Sequence, residues 1–300
     1  MKIFNLFSSK ILIGAFFLVG GVLFIPNTTF SSSITVSSTS AVSALDITIL
    51  EVYLDTEGQV FNSVDGSIVL SDEHGGNFEI REISLANSVF TMWPRKPSLE
   101  SNNTINFIGG VPEGVVGERL LLFKIIVKIN QPGIFKATLL EGISYLNDGL
   151  GTPSTISPKM SEITIGAPRE ESQNKWEEII SNDNNAPLPF EISLMQDVNL
   201  YDGNKFISFE TFDKESGISH YEVREGANPA VRTGTTYVLI DQKNKVDIVV
   251  TAYDKAGNFQ VSTLKGGSSI NWTSIVVVVL LAYLIKKIVV KIRNRKNKNV

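Results

Sequence analysis

Apolar and polar positions alternate with a period of two through most of residues 44–263, which predicts strands rather than helices. Candidate strands in the first half are Ile47–Leu54, Gly66–Leu70, Phe78–Leu85, Ile105–Ile108, Leu120–Ile129, Ile134–Leu140 and Glu162–Ile165. In Leu120–Ile129 one face carries Leu121, Phe123, Ile125, Val127 and Ile129. The other mixes Leu120, Leu122 and Ile126 with Lys124 and Lys128, as in a central strand that becomes exposed toward its end. Turn residues punctuate the runs at Asp65-Gly66, Gly75-Gly76, Gln131-Pro132-Gly133 and Asn147-Asp148-Gly149. Short strands spaced this way, with no helical pattern between them, predict an antiparallel sandwich. A second set follows at Phe206–Phe212, Ile218–Val223, Thr236–Ile240 and Val246–Tyr253, and its length suits an immunoglobulin-like sandwich.

Three stretches break the pattern. Ile11–Ile25 is an apolar run behind Lys2 and Lys10, the form of an export signal or an uncleaved N-terminal anchor. Residues 168–189, bounded by prolines, are acidic and Asn-rich, and read as a linker with one helical turn around Trp176–Ile180. Trp272–Ile285, continued by Ile288–Val290, has no polar face and reads as a membrane span if Lys286 and Lys287 snorkel. The expected order is signal peptide or anchor (1–27), Ser/Thr-rich spacer (28–43), first sandwich (44–167), acidic linker (168–186), second sandwich (187–263), short linker (264–270), transmembrane helix (271–290) and basic tail (291–300). The fold class is therefore all-β, with a helix at each end.

Charge sharpens this topology. The chain has 300 residues and a formal net charge of −4, but basic residues without acids occupy both ends. Residues 26–274 keep 18 basic against 31 acidic groups, about −13, and such a body repels nucleic acid. Seven basic residues from Lys286 onward, five of them in the tail, fit the positive-inside rule, leaving an extracellular ectodomain on a single-pass anchor in the cell membrane. Cysteine is absent, so disulfides, thiolate zinc sites and cysteine nucleophiles are excluded, and the sandwiches must stand on core packing alone.

Candidate chemistry is sparse. The glycines at 109, 110, 114 and 117 lack the Lys-Ser/Thr of a phosphate loop and lead into a strand, so a crossover between strands is the expectation. Asp46, Glu51, Asp55, Glu57 and Asp65 lie beside turns of a small module without room for a glycosidase cleft. His74 and His220 have no nucleophile context, and no catalytic residue is assigned. No cofactor is expected beyond calcium, for which Asp213, Glu215, Asp254 and Asn258 offer oxygen donors; turn capping explains the same side chains without an ion. If sugar is the ligand, Trp93, Phe90 and Tyr53 are the rings that would stack on it, with core packing as the alternative.

The first unit resembles the cohesin family. The resemblance is carried by VYLDTEGQVFNSVDGSI (Val52–Ile68), FTMWPRKPS (Phe90–Ser98), NTINFIGGVPEGVVGE (Asn103–Glu118), LLLFKIIVKINQPGIFKATL (Leu120–Leu139) and LNDGLGT (Leu146–Thr152). It implies a jelly-roll sandwich, close in fold to certain carbohydrate-binding modules, and a dockerin-type protein as partner. The second unit resembles bacterial immunoglobulin-like domains through FETFDKESGISHYEVRE (Phe209–Glu225) and VTAYDKAGNF (Val250–Phe259), modules that serve as spacers or adhesion units. The expectation is a non-enzymatic surface protein that recognises a dockerin-like protein or a polysaccharide. The alternatives are carbohydrate binding linked to polysaccharide breakdown, and a structural adhesin or spacer without a ligand.

Overall fold

Alternation of apolar residues builds two β-sandwiches in succession, each around its own core. The computed structural model describes residues 32–100, 103–267, 277 and 280–288. The chain divides into units 1–30 and 31–300, and the expected N-terminal signal lies outside the described residues. Half of the expected span 271–290 and all of the tail 291–300 also lie outside them. Residues 280–288 are helical, and among the described residues no helix is long and apolar enough to cross a membrane.

The first sandwich packs two sheets face to face. The smaller has the order β1 (Ser33–Ser38), β3 (Ile47–Asp55), β8 (Leu120–Ile129), β5 (Phe78–Ser84). The larger has the order β2 (Val42–Ser43), β11 (Met160–Gly166), β9 (Gly133–Leu146), β4 (Phe61–Asp72), β7 (Thr104–Val115), β6 (Met92–Leu99), with β10 (Pro153–Thr155) on β9. All pairings but β2 with β11 are antiparallel in this unit's sheets. Inward residues from both sheets, among them Leu50, Val52, Leu54, Phe61, Phe107, Phe123 and Phe135, form one buried cluster. Edge-to-face ring contacts, such as Phe107 with Phe123 at 5.1 Å, add to the area they bury.

Two expectations about connecting segments are corrected. Residues 28–43 are not a plain spacer: Ile34 and Val36 alternate with serines, pair in register with Leu54 and Val52, and bury in the core. Hydroxyl-rich composition had hidden a period-two strand. The acidic stretch after Ala167 is not a free linker either. Its helix α1 (Lys175–Asn182) is N-capped by the Asn174 side chain, which accepts the Glu177 N–H, and it carries Glu177 and Glu178 in its first turn. Trp176 is buried against Ile49 and Ile126 on the outer side of the smaller sheet, with Ile47, Ile179 and Ile180 around them.

The second sandwich joins a three-stranded sheet, β12 (Ser193–Gln196), β13 (Lys205–Ser208), β16 (Thr236–Val238), to a four-stranded one. The latter has the order β15 (Val231–Thr233), β14 (Ile218–Glu225), β17 (Ile248–Asp254), β18 (Phe259–Leu264). Ile207, Phe209, Tyr221, Val223, Ile248 and Val250 form its core. Between the sandwiches lies a cleft of about 570 Å³, bordered by Lys96 and Glu210, which pair at 3.2 Å across it.

Candidate functional site

The two outer faces of the first sandwich have different fates. On the smaller sheet, α1 covers Ile47, Ile49 and Ile126, and the β17–β18 turn of the second sandwich closes on the same side. The Trp176 indole donates to Glu82 Oε2 at 3.1 Å, and Lys255 pairs with Glu82 while its ammonium lies 5.1 Å from the Trp176 ring centre. Upstream, Gln173 N–H donates to buried Asp46 at 2.7 Å, and Ile47 N–H donates to the Gln173 carbonyl at 2.9 Å. Lys124, expected near an exposed strand end, is only 8% exposed beneath this cover. Its pKa is lowered, first by burial and also by Lys255, against the pull of Glu51, Asp213 and Glu215.

The larger sheet keeps its outer face open. Cross-strand register aligns three rows on it: Met92, Gly110, Ser63 and Tyr145; then Arg95, Ile108, Asp65 and Ile143; then Ser98, Asn106, Ser67 and Glu141. Small polar residues of β4 run down the middle and apolar residues flank them, with Met92 at 52% and Ile143 at 43% exposure. A shallow groove of about 380 Å³ at one end is lined by Met92, Pro94, Val111, Pro112, Tyr145 and Gly151. Gly110 permits this geometry, because a Cβ there would lie 2.2 Å from the Asn62 carbonyl oxygen.

Beside the groove, the loop after β9 presents Leu150, 87% exposed, between Gly149 and Gly151, whose φ angles are +78° and +64°. The loop is held from within. Asp148 Oδ1 accepts the Leu150 N–H at 2.9 Å and the Gly151 N–H at 2.8 Å, and Oδ2 accepts the Thr152 hydroxyl. The Thr152 hydroxyl and these amides lower the Asp148 pKa to about 2. The loop thereby holds an exposed apolar side chain in a pre-ordered backbone.

The predicted ring platform does not form. Phe90 is fully buried and Trp93 is 8% exposed, their rings 5.6 Å apart edge to face, with Trp93 also meeting Phe123. Gly109 explains the inward turn: a Cβ there would lie 2.6 Å from the Trp93 ring. Tyr53 lies on the opposite sheet, hydrogen-bonded to Glu51, with Arg119 4.1 Å from its ring centre. The glycine pair 109–110 is likewise not a crossover but part of β7.

The oxygen donors fare better. Asp213 and Asp254 come together, joined by Asp183 from the C-cap of α1, with one carboxylate oxygen of each within 4.8 Å of the others. These three buried acids are the group among the described residues that could hold a metal ion, and their hard oxygens suit a cation such as calcium. They already satisfy backbone donors. Asp213 accepts from Gly217 N at 2.7 Å and Glu215 N at 3.1 Å, Asp183 from Ser216 N at 3.1 Å, and Asp254 from Asn258 N at 2.8 Å. Asn258 also donates from its side chain to Asp254 and to the Asp183 carbonyl. Glu215 is not part of the cluster; it accepts from the Asn185 side chain at 3.1 Å. Asp183 was missed because it sits in the segment read as linker, and its only sequence signal was the polar run that follows the helix.

No protein-family model matches the chain, and no curated protein matches it in sequence. Solved structures align with it, cohesin modules among them, several over a little under half its length. The chain is similar to a cohesin module of a family 33 glycoside hydrolase from Clostridium perfringens ATCC13124, at 14% identity and TM-score 0.36, covering 47% of this chain and 100% of that module. A non-cellulosomal cohesin from Archaeoglobus fulgidus aligns at 15% identity and TM-score 0.37, covering 45% and 91%. A chain of a type I cohesin–dockerin complex from Clostridium thermocellum aligns at 13% identity and TM-score 0.35, covering 45% and 95%. These identities speak to fold alone.

Proposed function

We propose that this protein is a non-enzymatic recognition module displayed at the cell surface, and that the outer face of the larger sheet binds a protein partner of the dockerin type. One observation carries the reading: the smaller sheet's outer face is occupied by α1 and the second sandwich, whereas the larger sheet offers three registered rows and an ordered, exposed Leu150. The mixture of Met92, Ile108, Ile143 and Tyr145 around a small polar centre is the composition of a protein-binding patch. Burial of Phe90 and Trp93 removes the rings on which direct sugar binding would rest. In this reading the second sandwich is an immunoglobulin-like stalk, and the apolar run around residues 271–290 anchors the chain, with its basic tail in the cytoplasm.

The test is to measure binding of the purified chain to a panel of dockerin-type domains and, in parallel, to a glycan array. We expect binding to one or more of the domains, weakened at least about tenfold by Ile143→Asp, which places a charge in the middle row. Glycan binding that Ile143→Asp leaves intact, with no protein bound, overturns the reading. Protease applied to intact cells tests the topology: residues 44–265 should be cleaved and the tail protected.

A further inference from the structure

Sheet edges expose unpaired N–H and C=O groups, and proteins blunt them with charge, proline, bulges or brevity. Among the described residues nearly every edge of this chain is blunted. β5 carries Glu79, Arg81 and Glu82 and a register shift; β6 carries Pro94, Arg95, Lys96 and Pro97 and two shifts. The Val36 N–H of β1 is taken by the Ser161 hydroxyl, and β2, β12, β15 and β16 are four residues or shorter. β18 has little of this: its one such contact is the Gln260 side-chain amide, which donates to the Val261 carbonyl at 3.3 Å. Its six residues, FQVSTL, are uncharged and free of proline, and pair with β17 without a shift from Tyr253↔Phe259 to Ile248↔Leu264. Phe259 and Val261 are 57% and 43% exposed beside this edge.

We propose that two copies of this chain pair antiparallel through β18, about a twofold axis at Val261, to make one continuous sheet. The turn before β18 is closed by Asp254 N–H donating to the Asn258 carbonyl, so ladder alternation turns the main-chain groups of Phe259, Val261 and Thr263 to the open side. With Val261 opposite the second copy's Val261, Phe259 falls opposite the second copy's Thr263. Every outward donor and acceptor of those three residues then meets a partner, the second copy's Val261 N–H replacing the Gln260 side chain on the Val261 carbonyl. The register is self-complementary in charge as well. No charged residues face each other within the strand, and Lys265, already bonded to Asp247 at 2.7 Å, falls opposite the second copy's Gly257. A twofold contact of this kind closes on itself and needs no second patch. Because the 254–258 turn touches the first sandwich, antiparallel pairing sets the two first sandwiches at opposite ends of the joined sheet, as a bivalent unit.

The experiment is sedimentation equilibrium of the full chain in mild detergent, with two variants. The wild type should show concentration-dependent dimer, and Val261→Lys, with unchanged melting, should weaken it at least about tenfold. The chain has no cysteine, so Val261→Cys gives an independent readout. The twofold places the two Cα atoms about 5.5 Å apart, within disulfide reach, and mild oxidation should yield covalent dimer where Gln260→Cys yields little. A chain that stays monomeric at all concentrations overturns the proposal. So does a dimer that Val261→Lys leaves at full strength, or failure of Val261→Cys to cross-link.

Discussion

Truncating Trp176 to alanine tests whether α1 is a clamp on the first sandwich. The side chain is 6% exposed, packed on Ile49 and Ile126, with its indole N–H on Glu82. A buried tryptophan removes ~150–250 Å² from water, worth ~4–6 kcal/mol at ~25 cal/mol per Å², an upper bound that mutational series trim to ~3–5 kcal/mol. Glu82 keeps Lys255 as partner, so little is added for an orphaned carboxylate. An eight-residue helix does not persist alone in water, so the loss should appear as local release of α1 rather than global unfolding. Hydrogen exchange followed by mass spectrometry reads this directly. Amides of Lys175–Asn182 should exchange ~10²-fold faster or more in Trp176→Ala, while Phe61–Asp72 keeps its protection and partner binding by the larger sheet is unchanged. Unaltered exchange in α1 would refute the reasoning, because the helix would then be held by something other than the indole.

Three further outcomes follow from named contacts. Asp148→Ala should loosen the Leu150 loop and weaken partner binding with little change in melting temperature. In the wild type the Asp148 pKa is lowered to about 2, so its stabilising hydrogen bonds contribute fully above the ordinary carboxylate pKa and are lost as pH falls through about 2; the Leu150 loop should therefore keep its order, read by hydrogen exchange, from pH 7 down to the ordinary carboxylate range. Asp183→Ala leaves the Ser216 and Asn185 N–H groups without their carboxylate acceptor and should cost ~1–3 kcal/mol in thermal or urea unfolding. Tyr221, whose hydroxyl donates to the Thr211 carbonyl and accepts the Thr211 N–H, has its pKa pushed up to about 12, chiefly by burial. Its contribution is therefore complete below pH 10 and lost as pH rises through about 12; ultraviolet titration should show one tyrosine ionising late, together with alkaline unfolding.

How far the fold was legible depends on whether a segment's partner lies within its own alternation. Val246–Tyr253 was readable as a strand because burial on one face follows from period two, and Leu120–Ile129, buried on both faces through its middle, from its run of β-branched and aromatic residues. Met92–Leu99 was not: its two prolines argue against a strand, and only the shifts in its pairing with β7 let an edge strand accommodate them. The candidate ligand rings failed for a related reason. Whether Trp93 points to water or to the core is decided by the space above Gly109 on the neighbouring strand.

The amino-acid sequence by itself determined the β class, the separation into two sandwiches, and the presence of Asp213 and Asp254 in turns of the second. Each of these follows from local periodicity, turn chemistry and short-range spacing. Only the tertiary structure decided which sheet face stays open, that the acidic linker is a docked helix, and that Asp183 completes the carboxylate cluster. Those features depend on contacts between residues far apart in the chain, such as Trp176 with Glu82 and Asp183 with Ser216, and no local pattern specifies which distant surface a buried side chain will meet.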